Sequence, residues 1–177
     1  YWDDDGGGLG DMGQHYLDPI QYFLGKDETS PIKVEVDAEQ QHPDACGTFR
    51  KITYTYADGC KLILDGEATD PNAAYIEGPK GKLFAGFKSD IPNLKEKIAM
   101  MPDPAPQVTN FLESVKYRTT FALNESNGFR SCTIINMGKI ALQLGRTLHF
   151  DPDTQEFLND TEANFLINPP MRGPWRI

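Results

Sequence analysis

Residues 6–18, GGGLGDMGQHYLD, admit two incompatible chemical readings. Gly8, Gly10 and Gly13 spell G-x-G-x-x-G, the pattern that brings a backbone close to a dinucleotide pyrophosphate at a helix start. Asp11 and His15 stand four apart, so a helix stacks a carboxylate and an imidazole about 5–6 Å apart on one face. The first reading makes the stretch a cofactor cradle. The second makes it an acid/base site, with the carboxylate orienting or charge-tuning the side chain that most often shuttles protons near neutral pH.

Context separates the two. A dinucleotide turn follows a buried parallel strand, which reads as a near-continuous apolar run. Only YWDDDGG precedes Gly8. Asp3, Asp4 and Asp5 would repel a pyrophosphate, and Asp11 would put another carboxylate at a helix N-terminus meant for an anion. The mimicry extends to the strand-like IKVEV and to Asp37, near the place of a ribose-binding acid, but the first strand is lacking. The acid/base reading fits better. Gly6 to Gly8 let the chain turn freely, and a helix starting near Leu9–Asp11 gains from a carboxylate in its first turn. A surface pair or a capping arrangement remains the plain alternative. Asp11 and His15 are thus the candidate catalytic residues, and Trp2 and Gln14, close by, the candidate substrate-binding ones. A metal hydrolase would draw on His15, Asp18 and His42 or His149, but no pair has the H-x-x-x-H spacing of a preformed site.

Net charge is −9, from 26 acids against 17 bases, which disfavours nucleic acid and anionic membrane as partners. No apolar run approaches the ~20 residues of a membrane span. No basic-then-apolar signal segment opens the chain, so a cytoplasmic location is favoured, with export of a parent protein as the alternative. An opening without Met reads as a piece of something longer. Cys46, Cys60 and Cys132 form no C-x-x-C, and a disulfide framework or zinc knuckle is not indicated. The 177 residues suffice for one domain with a real core.

The elements that must position the pair follow from periodicity. Gln14 to Leu24 carries Tyr16, Leu17, Ile20, Tyr22, Phe23 and Leu24 at helical spacing, with Gly25 as its stop. Pro19 predicts a kink or a restart with Asp18 as N-cap. Val34 and Val36 alternate with polar residues, as do Ile52, Tyr54 and Tyr56. Asp58-Gly59 turns the chain into Lys61–Asp65, with Leu62 and Leu64 on one face and Ile63 on the other. A second hairpin folds at Gly78-Pro79-Lys80-Gly81. Val108, Phe111, Leu112 and Val115 predict a helix with an inward apolar face, started by Pro104 and Pro106. Ser126 to Leu144 predicts a longer helix with Ile134, Ile135, Gly138, Ala141 and Leu142 inward, Gly138 marking close packing on the sheet. Leu148 and Phe150 alternate, Asp151-Pro152-Asp153 turns, and Thr161 caps a last helix through Leu166. Pro169, Pro170, Pro174 and Trp175 form an extended tail packed on the body. Thr53, Thr55 and their neighbours give the sheet a second face suited to another subunit, a solvated face being the alternative.

GGGLGDMGQHYLDPIQYFLG resembles the opening of the C-terminal domain of the Gfo/Idh/MocA oxidoreductases, the glucose–fructose oxidoreductase and inositol dehydrogenase family: a glycine cluster, D-x-G-x-H-x-x-D, then an aromatic-rich helix ending in Leu-Gly. YIEGPKGKL resembles the family's sheet hairpin. FLESVKYRTTFALNESNGFRSCTIINMGKIALQLGRTLHFDPDTQEFLNDTEAN resembles its C-terminal end, with LGR and F-D-P. The resemblance implies an α+β fold: an open, mostly antiparallel sheet with helices on one face and the other face used for oligomer contacts. It implies that residues 1–177 are one substrate-binding and oligomerisation domain, whose partner is an N-terminal Rossmann domain absent from this chain. It makes Asp11 and His15 the acid/base pair for oxidising a sugar, inositol or related polyol. NAD or NADP is expected for the parent protein, with no cofactor held by this fragment. The family's E-K-P lysine motif is missing, and Glu96-Lys97-Ile98 is no substitute. A non-catalytic carbohydrate-binding or oligomerisation module is the alternative.

Overall fold

The computed structural model of the chain describes all residues except 3–5, 69, 104–107, 171–172 and 175–177. The elements in order are α1 (Gly7–Phe23), β1 (Lys33–Asp37), β2 (Lys51–Thr55), β3 (Lys61–Asp65), β4 (Ile76–Gly78) and β5 (Gly81–Phe84). A 3-10 turn (Ala85–Phe87) then leads to β6 (Lys88–Ser89), α2 (Leu94–Ala99), α3 (Phe111–Tyr117) and α4 (Glu125–Leu144), and the chain ends with β7 (Leu148–Asp151), β8 (Glu156–Phe157) and α5 (Thr161–Ile167). They fall into two compact units, one of residues 1–67 with 122–177 and one of residues 68–121.

The first unit is an antiparallel sheet in the order β3-β2-β1-β7-β8, with α4 packed on β1 and α1 packed on α4. Strand alternation sorts the faces. Val34, Ile52, Tyr54, Leu62, Leu148 and Phe150 are buried, and in register Val34 faces both Tyr54 and Leu148. Lys33, Glu35, Thr53, Thr55, Lys61 and Ile63 take the alternate positions, so the expected division of Leu62 and Ile63 between opposite faces holds. Asp58-Gly59 makes the hairpin turn, with Gly59 at φ +83, a conformation open to glycine at little cost. Ile134, Ile135, Gly138, Ala141 and Leu142 all point inward from α4. Gly138 earns its place in a helix interior: any Cβ there would collide with the Tyr54 hydroxyl.

Three local expectations are corrected. α1 runs unbroken from Gly7 to Phe23 with Pro19 inside it, and Asp18 is not an N-cap. The Asp18 carboxylate instead accepts a hydrogen bond from the Ser131 hydroxyl of α4. α5 is capped by Asp160, which accepts from the Ala163 N–H at 3.0 Å, and Thr161 is its first helical residue. α4 begins at Glu125, capped by Asn124, one residue before the expected start.

The second unit pairs β4, β5 and β6 antiparallel, with the expected turn at residues 78–81. Here the apolar spacing misleads. α3 starts at Phe111, where Asn110 accepts from the Glu113 N–H at 3.1 Å. Phe111, Leu112 and Val115 are exposed, Leu112 by 77%, as is Val108 ahead of the helix. Ser114 is the residue α3 buries. Pro104 and Pro106, expected to start this helix, lie outside the described residues, as does Trp175 of the expected tail.

Candidate functional site

The site is built on α1. Leu9, Gly13, Leu17 and Gln21 recur every four residues and are buried, which fixes the rotation of the helix. At about 100° per residue, His15 falls opposite that stripe. Asp11 and His15 are both exposed on this outward side. Among the described residues no side-chain hydrogen bond or ion pair joins them or engages either one, so the spacing puts them on one face without a direct side-chain link. Gln14 is half-buried at the edge of the same side, and Met12 and Tyr16 stand exposed beside His15.

Trp2 lies elsewhere. Its ring belongs to the core and is 6% exposed, and its indole N–H donates to the His42 carbonyl at 3.0 Å. The Trp2 backbone N–H donates to the Asp44 carbonyl at 3.1 Å, which ties the chain start to the 42–45 loop. Trp2 also lines a hollow of about 1130 Å³ beside α4 and α5, whose lining includes Phe150, Phe157 and Asn168 but none of Asp11, Gln14 and His15. The fold therefore groups Asp11, Gln14 and His15 on α1 and buries the Trp2 ring in the core.

Packing explains Gly7 and Gly13, whereas a Cβ at Gly8 would meet nothing within 4 Å. Helix α1 starts at Gly7, with φ +61, where a side chain would press within 3.2 Å of Cys46 Cβ. A Cβ on Gly13 would stand 2.8 Å from Ile135 Cδ1, so this glycine lets α1 settle on α4. Gly8, Gly10 and Gly13 all lie inside α1, whereas in a dinucleotide turn the first glycine of the pattern makes the tight turn ahead of the helix. These residues do not fit a dinucleotide cradle.

Electrostatics around the far end of α1 are shaped by Asp18, which the sequence offers as a cap, a rival metal ligand and the last acid of D-x-G-x-H-x-x-D. Burial and the Asp18 charge hold the Asp27 carboxyl above its ordinary range. Arg130, next to Ser131 on α4, donates to the Ser30 hydroxyl at 3.3 Å. The short bond from Ser131 to Asp18 spans two helices far apart in sequence, and nothing in the local pattern announces it.

The histidines do not converge. His15 is on α1, His42 in the loop ahead of β2, and His149 on β7 facing Lys33. Among the described residues no group of three or more His, Cys, Asp or Glu is placed to hold a metal ion. No helix among them is long and apolar enough to cross a membrane.

A sheet backed by α4 and α1, a glycine-rich helix start and an outward D-x-x-x-H complete the geometry. Residues 1–177 match the family model described as the C-terminal alpha/beta domain of the Gfo/Idh/MocA oxidoreductase family. The chain belongs to that family. No curated protein and no solved structure matches it. For a Gfo/Idh/MocA C-terminal domain the fold is as the sequence resemblance implied: α+β, with an open antiparallel five-stranded sheet packed against helices.

Proposed function

We propose that this Gfo/Idh/MocA domain is the substrate-binding and acid/base half of an oxidoreductase acting on a sugar, inositol or related polyol, with a Rossmann domain of the same protein as its partner. The observation that carries the reading is the outward placement of Asp11 and His15 on a helix whose opposite stripe is fully occupied by packing. In this role the His15 imidazole accepts the proton of a substrate hydroxyl as the carbon bearing it becomes a carbonyl. A hydroxyl whose pKa lies far above 7 needs such a base as the carbonyl forms. Asp11, one turn earlier on the same side of the helix, assists the imidazole. Gln14, with an amide that both donates and accepts, is the nearest candidate for holding a second hydroxyl. NAD or NADP, when bound to the parent protein, supplies the hydride acceptor. Trp2 supports the site at a distance, by fixing the chain start to the 42–45 loop.

The test is His15→Ala in the full-length protein. Turnover should fall about 10²–10⁴-fold, the usual worth of a general base. Cofactor affinity should stay near normal, and the pH–rate profile should lose one limb. Near-normal turnover with an intact profile would return Asp11 and His15 to an ordinary surface pair.

The same reading includes self-association through the sheet face bearing Thr53 and Thr55. Its support is that the described helices packing on this sheet lie on the side of Tyr54 and Leu62. The free face mixes Lys33, Glu35, Lys61 and Ile63, with Lys33 and Glu35 paired at 2.9 Å. Sedimentation should show a dimer or larger assembly that Thr53→Arg dissociates. A monomer at high concentration would remove this part of the proposal.

A further inference from the structure

The outward side of α1 has two unlike flanks. At about 100° per residue, Met12, Tyr16, Pro19 and Phe23 fall on one ridge and Asp11, Gln14 and Asp18 on another, with His15 between them. The polar ridge suits a compound rich in hydroxyls. The apolar ridge does not. Met12, Tyr16 and Phe23 are exposed and stand outside the core cluster. Methionine and aromatic side chains are enriched where two protein surfaces meet.

Proton transfer at His15 says what must come to this side. The imidazole reaches a hydroxyl oxygen within about 3 Å. The carbon bearing that hydroxyl must stand about 3–3.5 Å from the atom that takes its hydride. The acceptor therefore comes within roughly 8 Å of the imidazole. The α1 glycines do not form a dinucleotide cradle, so another domain brings the acceptor. Chain connectivity leads that domain here. In a C-terminal domain the preceding one joins at the chain start. There the Trp2 backbone N–H donates to the Asp44 carbonyl, and a Cβ on Gly7, the first residue of α1, would press on Cys46 of the same loop. The junction and the start of α1 thus lie against one loop, and a domain tethered at that junction is held near the helix at high effective concentration.

We propose that the ridge of Met12, Tyr16 and Phe23 is the seat of the nucleotide-binding domain that precedes this one in the parent protein, leaving the ridge of Asp11 and Gln14 open to substrate. This rests on the proton-transfer reading of His15. The hydride acceptor then arrives over the apolar flank, and the polyol is held from the polar one. His15, between the two, meets the hydroxyl of the carbon being oxidised.

The experiment puts p-benzoylphenylalanine at position 16 or 23 of the full-length protein, irradiates it and maps the crosslinked peptides by mass spectrometry. Both positions should join to residues ahead of Tyr1 in the same chain. Crosslinks to a second copy, crosslinks confined to residues 1–177, or no crosslink at all would overturn the proposal. The photoreactive residue keeps the aromatic and apolar character of the side chain it replaces, so this arm does not depend on a disruptive change. A second arm measures the double variant Tyr16→Glu, Phe23→Glu in the full-length protein. Turnover should fall about 10²-fold, the cost of misplacing reacting groups by about 1 Å. Binding of NADH or NADPH, followed by its fluorescence, should stay within about twofold of wild type, because the other domain holds the nucleotide. Wild-type turnover in this variant overturns the proposal as well. Where the double variant does not fold, the crosslinks decide. Normal turnover in His15→Ala would defeat the proton-transfer reading instead, so the two failures are distinguishable.

Discussion

The inward and outward stripes of α1 put one helix to two uses. Inward, Leu9, Gly13, Leu17 and Gln21 leave no freedom: two leucines fill the core, a glycine admits Ile135, and a glutamine closes the helix end. Outward, Asp11, Met12, His15, Tyr16 and Pro19 are exposed, and several are poor choices for a plain solvated face. Met12, Tyr16, Tyr22 and Phe23 expose 45–65% of their surface. Pro19 costs a helix interior about 3 kcal/mol relative to alanine. Packing accounts for the first stripe completely and for the second not at all, and this difference is the reason to look for chemistry on the second.

The sharpest way to break the comparison is to weaken the inward stripe. Leu17→Ala empties a site that is 1% exposed and should cost about 2–5 kcal/mol, read as a fall of roughly 5–15 °C in melting temperature. A loss below about 1 kcal/mol would mean that the inner stripe does not set the helix in place.

How far the stripes could be read in advance depended on where each residue's partner sits. Leucine spacing and the Gly25 stop are local signals, and the helix end follows them: the Gly25 N–H donates to Tyr22 and the Lys26 N–H to Gln21, both at 3.0 Å. Gly138 was legible because a glycine in a long apolar helix has few other reasons to be there. The pairing of Asp18 with Ser131 was not legible, since its partner lies on another helix, and so Asp18 looked like a cap for a restarted helix. Nearness to the glycines makes Trp2 a candidate substrate contact, and the long-range placement of its indole N–H against the 42–45 loop and of its ring in the core has no local signal. In residues 68–121 the i, i+3, i+4, i+7 pattern of Phe111, Leu112 and Val115 announced an amphipathic helix correctly, but spacing does not say whether a partner for the apolar face exists. The short helix α2, LKEKIA, gave too little pattern to be seen.

A smaller effect sharpens the comparison from the other end of the first unit. Arg146, just past the Gly145 stop of α4, donates from one nitrogen to Asp160 at 3.0 Å and to Glu162 at 2.9 Å, and a second nitrogen also reaches Asp160. This hydrogen bonding, helped by the Ala163 N–H, holds the Asp160 carboxyl down at about 2. A carboxyl lowered by folding adds stability that is fully present above its unfolded value of about 3.9 and is lost as pH falls through about 2. Denaturant midpoints measured at pH 4.5 and pH 2 should therefore drop less in Asp160→Asn than in the wild type. Equal drops would show that this capped clamp contributes nothing to acid stability.

The central claim is that the outward stripe performs chemistry and holds nothing of its own domain together. It is tested most directly by measuring melting temperature and turnover on the same preparation of full-length His15→Ala. The account predicts a stability within about 0.5 kcal/mol of wild type, as for a surface substitution, together with a turnover lowered about 10²–10⁴-fold. A variant that melts as early as Leu17→Ala, or one that keeps wild-type turnover, would contradict it.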